Sequence, residues 1–241
     1  MSNSQSVFTV FNHFILLLKK TFLAYRVKII FSTNQFLVKL GLAILSLFLI
    51  ANPALAHHPF GGETPDNLLT GFLSGFGHPV IGIDHLVFVI AIGLLASLKQ
   101  QRGIWLPIAF VVSTLIGTGI HLLSMDLPLP EIIISASVLI FGIMLAMPQA
   151  PQLVWLVSIG ALAGIFHGYA YGETIIGAQM TPLVAYLAGF ASIQLLISLV
   201  AFKIGKISLA KVADQPSLFL RFAGFTICGL GTAFLSSAIL G

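Results

Sequence analysis

Five ionisable side chains stand inside or at the mouths of apolar stretches where such groups are costly: His78, Asp84, His85, His121 and His167. An imidazole or carboxylate in hydrocarbon costs several kcal/mol unless it faces a protein interior, finds a partner or binds something, so each is a functional candidate. Imidazole nitrogens joined by a carboxylate suit borderline divalent ions that take mixed N/O donors, such as Ni²⁺ and Co²⁺. Cys228 is the only cysteine, which excludes a multi-thiolate or iron–sulfur centre and argues against a dedicated Cu(I) path.

Composition fixes the setting. Of 241 residues, 58% are hydrophobic and 7% charged, with a mean hydropathy of +1.06. A soluble globule carries roughly a quarter of its residues charged, so this composition is that of an integral membrane protein. The net charge of +4 does not mark a nucleic-acid binder, because Lys19, Lys20, Arg26, Lys28 and Lys39 all lie in the leader. From His57 onward six basic residues stand against all seven acidic ones.

The leader reads as a targeting segment. An apolar run over 40–52 follows Lys39, and Ala54-Leu55-Ala56 places small residues where a signal peptidase reads them. Two fates are open, cleavage after Ala56 or retention as an anchor helix. Cleavage would expose His57 and His58 beside a free amine, a possible chelate for a divalent ion; the other reading is a disordered polar terminus. The expected organisation is a leader and signal peptide over 1–56, a short extracytoplasmic segment over 57–77 and a transmembrane domain over 78–241.

Downstream, apolar stretches able to cross a layer of about 30 Å recur near 78–98, 104–123, 131–147, 152–172, 182–203 and 217–240. The expected fold is therefore all-α, with six transmembrane helices after a cleavable signal peptide. Lys99, Arg102, Lys203, Lys206, Lys211 and Arg221 then fall on one side, which the positive-inside rule makes cytoplasmic, and both mature termini fall outside. Glu63, Asp66, Asp126, Glu131 and Glu173 collect at the outer side, where carboxylates concentrate cations.

In this arrangement the imidazoles meet in one half of the bilayer. His78 and His85, seven residues apart, return to nearly the same face of one helix about 10 Å apart along it, with Gly82 between them and Pro79 in the first turn. Asp84 points about 100° from His85, as a further ligand or as the partner of a neighbouring imidazole N–H. Thr114, Thr118 and His121 form a polar stripe on the second span. For His121, ligation stands beside a hydrogen bond to a threonine or carbonyl and beside interfacial exposure. Gly160, Gly164, Gly168 and Gly172 make a groove for helix packing with His167 at its edge. Glu173 is either a donor or a solvated loop carboxylate, Asp126 and Glu131 read as solvated, and Tyr169 and Tyr171 read as interfacial aromatics.

The segment Gly77-His78-Pro79-Val80-Ile81-Gly82-Ile83-Asp84-His85-Leu86 resembles the first-span signature of the HupE/UreJ family, a His, five residues, then Asp-His. Phe166-His167-Gly168-Tyr169-Ala170-Tyr171-Gly172-Glu173 is similar to its fourth-span signature, Phe-His-Gly followed by Ala or Val, a second His-Gly and a Glu. Here Tyr171 stands in place of the second His, and Glu173 arrives one position early, with Thr174 where the carboxylate falls in the family. The resemblance implies a permease that takes up nickel or cobalt for metalloenzymes such as hydrogenase or urease. It implies a metal set of His78, Asp84, His85 and His167, to which Glu173 is a further candidate; from their own residue chemistry His121, Tyr171 and Thr118 are additional candidates as donors or supports.

Residue chemistry and resemblance together lead to a secondary transporter rather than an enzyme, set in the plasma membrane or an internal one, with no permanently bound cofactor. Its partners would be a divalent transition-metal ion, the lipid bilayer and a metalloenzyme maturation machinery. No phosphate-cradling loop is present, and the potential across the membrane would drive the ion inward. Rival readings are an electron-transfer protein with paired histidines on haem, a membrane metallohydrolase and an accessory protein that moves no metal. Neither a haem attachment motif nor a His-Glu-x-x-His motif occurs.

Overall fold

The structure is a computed structural model that describes residues 64–211 and 218–240. The leader, the cleavage junction, His57 and His58 lie outside the described residues. Among those described there is no strand. The helices are α1 (Leu68–Ile81), α2 (Ile83–Ser97), α3 (Trp105–Leu122), α4 (Pro130–Ala146), α5 (Leu153–Glu173), α6 (Met180–Lys211) and α7 (Leu218–Leu240), with a 3₁₀ turn at Gln100–Ile104 before α3.

The exterior is apolar and the interior holds the polar groups. Trp105, Val112, Ile116, Trp155, Leu162 and Phe222 are exposed, while Thr114, Thr118, Gln194, Ser198 and three imidazoles are buried. In a water-soluble fold that distribution would be reversed; in lipid it buries polar groups with protein partners. The chain is thus a multi-pass membrane protein. The segments Gln101–Leu122, Leu153–Glu173, Met180–Ala210 and Leu218–Leu240 are each long and apolar enough to cross a membrane. α1 and α2 meet that test only as a pair, bent by 79°, and α4 is a shorter apolar helix of 17 residues. Four helices therefore qualify, or five if the bent pair is one span.

The first expected span is corrected. The chain does not form one helix over 78–98: α1 begins at Leu68, ends at Ile81, and α2 starts afresh at Ile83. The early start has a local cause. Asn67 accepts the amide N–H groups of Leu69 and Thr70 at 2.9 and 3.0 Å, and Thr70 Oγ1 accepts the Asn67 N–H at 3.2 Å, a reciprocal cap. The break also has one. Pro79 sits near the end of α1 rather than in a first turn, and its missing N–H removes the helical bond back to the Gly75 carbonyl, which weakens the last turn. Gly82, extended at φ −71° and ψ 99°, then turns the chain. His78 and His85 consequently lie on two helices, not on one face of one.

α2 is the central element, packing on α4, α6 and α7, and its Phe88 meets Phe110 of α3 and Phe141 of α4. α3 lies along α5, α4 along α7 and α1 along α6. The expected glycine groove on α5 receives α3: Gly164 faces Phe110 and Ser113, Gly168 faces Thr114, and Gly172 faces His121. The rising register means that α3 and α5 run in the same direction. α4 and α7 run oppositely, with Gly142 against Cys228 and Gly224 against Ala146. Both relations agree with alternating spans.

Candidate functional site

The helix break builds the site. His78 belongs to the last turn of α1 and His85 to the first turn of α2, and the 79° bend folds their rings to a centroid separation of 5.7 Å. His167 comes from α5 and lies against His85, ring centroids 4.9 Å apart. Exposure is 3% for His78, 1% for His85 and 0% for His167, so all three imidazoles are enclosed by protein. Gly82 is required for this closeness: a Cβ there would stand 2.7 Å from His85 Cδ2.

Each ring is held. The His85 and His167 Nδ1 atoms share a hydrogen bond of 2.8 Å, and His167 Nε2 meets Ser137 Oγ at 3.0 Å. Phe88 stacks on His167 at 4.4 Å, and Phe110 meets it edge-on at 5.8 Å. His78 Nδ1 lies 3.2 Å from the Tyr186 hydroxyl and 3.3 Å from Thr174 Oγ1. The Tyr186 hydroxyl donates to the Tyr171 carbonyl at 2.8 Å. Asp84 Oδ1 accepts the His85 backbone N–H at 2.9 Å, so its carboxylate sits at the positive end of α2 beside the imidazoles.

Tyr171 occupies the space between the two faces of the break. Its ring lies 4.9 Å from His78 and 4.7 Å from His85, and it is fully buried. It is enclosed by protein rather than turned to the exterior, and Tyr169 is 8% exposed. The Tyr171 ring meets His78 of α1, His85 of α2 and Phe190 of α6, whereas the Tyr169 ring lies on the α3 side of α5. No described group hydrogen-bonds the Tyr171 hydroxyl.

The structure thus gathers His78, His85 and His167, with Asp84 adjoining, and leaves other expected residues apart. His121 packs on Tyr169 at a centroid distance of 4.3 Å, and the Tyr169 hydroxyl reaches Asp126 at 3.5 Å. Thr118 donates to the Gly168 carbonyl at 2.7 Å, a bond that ties α3 to α5. Glu173 is exposed at the end of α5. Among the described residues no three His, Cys, Asp or Glu side chains are grouped to hold one ion. Sequence reasoning missed Ser137, Thr174 as a hydrogen-bond partner, and Tyr186. The signal for Tyr186 is a series on α6, Tyr186, Phe190, Gln194 and Ser198, that repeats every four residues along one face and carries a polar group at three of its four positions.

Comparison with known proteins points the same way as the motifs at the break and on α5. No solved structure matches. A curated relative, Protein HupE from Rhizobium leguminosarum bv. viciae, is 27% identical over 192 residues, covering 79% of this chain and 95% of that protein. The family described as HupE / UreJ protein matches residues 45–234, a stretch that contains the helix break, all three clustered imidazoles and most of α7, and the chain belongs to that family.

Proposed function

We propose that this protein is a permease for Ni²⁺ or Co²⁺, taking the ion from the extracytoplasmic side and releasing it inward to supply metalloenzyme maturation. The observation that carries this reading is the buried imidazole cluster His78–His85–His167 at a helix break, with the Asp84 carboxylate beside it. Buried polar groups at a broken apolar helix are the arrangement by which carriers hold ions within a bilayer, and the C-terminal end of α1 brings the negative end of its dipole to a cation.

A cluster that offers fewer than three convergent protein donors fits cargo better than a resident cofactor. An ion in transit must bind well enough to enter and weakly enough to leave, with water completing its shell. Two positive charges crossing a potential negative inside gain about 4.6 kcal/mol per 100 mV, sufficient to drive accumulation without ATP.

Sidedness rests on the basic residues. Lys99 Nζ donates to the Ala150 carbonyl at 3.0 Å, and Arg221 Nε donates to the Ala146 carbonyl at 3.1 Å, so both cations cluster at the C-terminal end of α4. With that end taken as cytoplasmic, the imidazole cluster falls in the outer half. Six crossings result when the bent pair and α4 each count as one.

The test is accumulation of radiolabelled nickel and cobalt in cells that express the protein. Wild type should accumulate at least one of the two metals, and His85→Ala should reduce uptake to the level of cells lacking it. Equal uptake by His85→Ala at equal membrane abundance would overturn the reading in favour of an accessory role.

A further inference from the structure

We propose that Ser137 and His167 form a fixed proton order behind His85, in which neither binds the ion and both hold Nε2 of His85 as the lone-pair nitrogen. The inference deepens the metal-uptake reading and rests on it.

The order is read from the distances. Ser137 Oγ lies 2.6 Å from the Ile134 carbonyl and 3.0 Å from His167 Nε2. Two oxygens at 2.6 Å repel unless a proton lies between them, and a serine has one hydroxyl proton to give. That proton therefore goes to the Ile134 carbonyl. Ser137 Oγ is then an acceptor towards His167, so His167 Nε2 carries its proton. His167 is fully buried among Phe88, Phe110 and His85, where an uncompensated charge is expensive, so the ring is neutral and its Nδ1 is a lone pair. The 2.8 Å contact between the Nδ1 atoms must then be donated by His85. With its proton on Nδ1, a neutral His85 has its lone pair on Nε2.

The chain of donors runs in one direction: His85 Nδ1–H to His167 Nδ1, His167 Nε2–H to Ser137 Oγ, Ser137 Oγ–H to the Ile134 carbonyl. Its anchor is a backbone carbonyl of α4, which cannot reverse. Both nitrogens of His167 are used in this chain, which makes His167 a positioning residue rather than a ligand. Metal-bound histidines commonly give their other N–H to a partner that sets ring orientation, and loss of such partners weakens binding by about 10- to 100-fold. Ser137 fixes that arrangement here, two residues removed from the ion.

The experiment uses full-length protein labelled with ¹⁵N-histidine in lipid nanodiscs, with the His85 signals assigned by their loss in His85→Asn. In the metal-free protein, His85 should show a protonated Nδ1 and an unprotonated Nε2, and His167 the opposite. Ser137→Ala should mix the His85 tautomers and raise the Kd for Co²⁺ about tenfold, while Ser137→Thr, which keeps the hydroxyl, restores both. X-ray absorption of bound Ni²⁺ should count the same number of imidazoles in wild type and in His167→Gln. A proton on His85 Nε2 in the metal-free wild type, unchanged tautomers in Ser137→Ala, or loss of one imidazole in His167→Gln would each overturn the proposal. If the wild type binds no metal, the uptake reading fails, whereas the tautomers of the metal-free protein still decide the proton order.

Discussion

His85 on α2 and His167 on α5 stand with their Nδ1 atoms 2.8 Å apart, one imidazole hydrogen-bonded directly to the other. Eighty-two residues separate them in sequence, so the bond is a tertiary contact between α2 and α5, while the bend at Gly82 brings His78 to the same place. It fixes one nitrogen of His85 and leaves the other side of the ring turned towards the rest of the break.

Gly82→Ala should therefore damage uptake without unfolding the protein. The added methyl would meet His85 Cδ2 at 2.7 Å and push the ring off His167. The backbone at Gly82 is in a region any residue adopts, so the helix break itself should persist. Uptake is expected to fall about tenfold, as for loss of an orienting contact, with thermal stability lowered by no more than about 1–3 kcal/mol for overpacking. Wild-type uptake in Gly82→Ala would show that the position of the His85 ring is unimportant.

Thr118→Val separates packing from transport. The Thr118 hydroxyl is committed to the Gly168 carbonyl at 2.7 Å, so it serves the α3–α5 contact and does not face the imidazoles. Removing it should cost about 0.6 kcal/mol, the average measured for hydrogen bonds between membrane helices, and leave metal uptake unchanged. A drop in uptake larger than the drop in folded protein would place Thr118 on the ion path.

Gly168→Leu should be among the most damaging changes to the fold. A Cβ at this position collides with the Thr114 carbonyl of α3, so any larger side chain separates the two helices. Loss of folded protein in detergent, read by thermal denaturation, is the expected result, and wild-type stability would contradict the close contact of α3 and α5.

Acid should compete with the metal. An imidazole must be deprotonated to bind a cation, so uptake is expected to weaken as the outer pH is lowered. Uptake of radiolabelled nickel that is unchanged by acid down to the pH at which the protein unfolds, at constant membrane potential, would contradict imidazole ligation.

Much of this architecture can be read from the residues. Composition and apolar run length place five of the six expected spans close to where helices occur, because a bilayer leaves a chain little freedom other than helix. The bend is not legible in that way. Run length gives no sign that α1 and α2 are separate helices, since both sides of Gly82 are equally apolar; the sign lies in Asn67 and Thr70, which start a helix before His78, and in Pro79, which weakens the last turn of that helix. Of the site, His78, Asp84, His85 and His167 stand out because each is costly in lipid. His121 and Thr118 are costly on the same grounds but settle on neighbours, Tyr169 and the Gly168 carbonyl. Ser137 and Tyr186 give no such warning, since a hydroxyl on a membrane helix is cheap and often bonds its own backbone.

The measurement closest to the central claim is equilibrium binding of Ni²⁺ to the purified full-length protein in nanodiscs, compared with His78→Ala and His85→Ala. Saturable binding of one ion per chain in the wild type, and its loss in either variant with both variants folded, is the predicted result. Undiminished binding in a folded protein that carries both substitutions would contradict it.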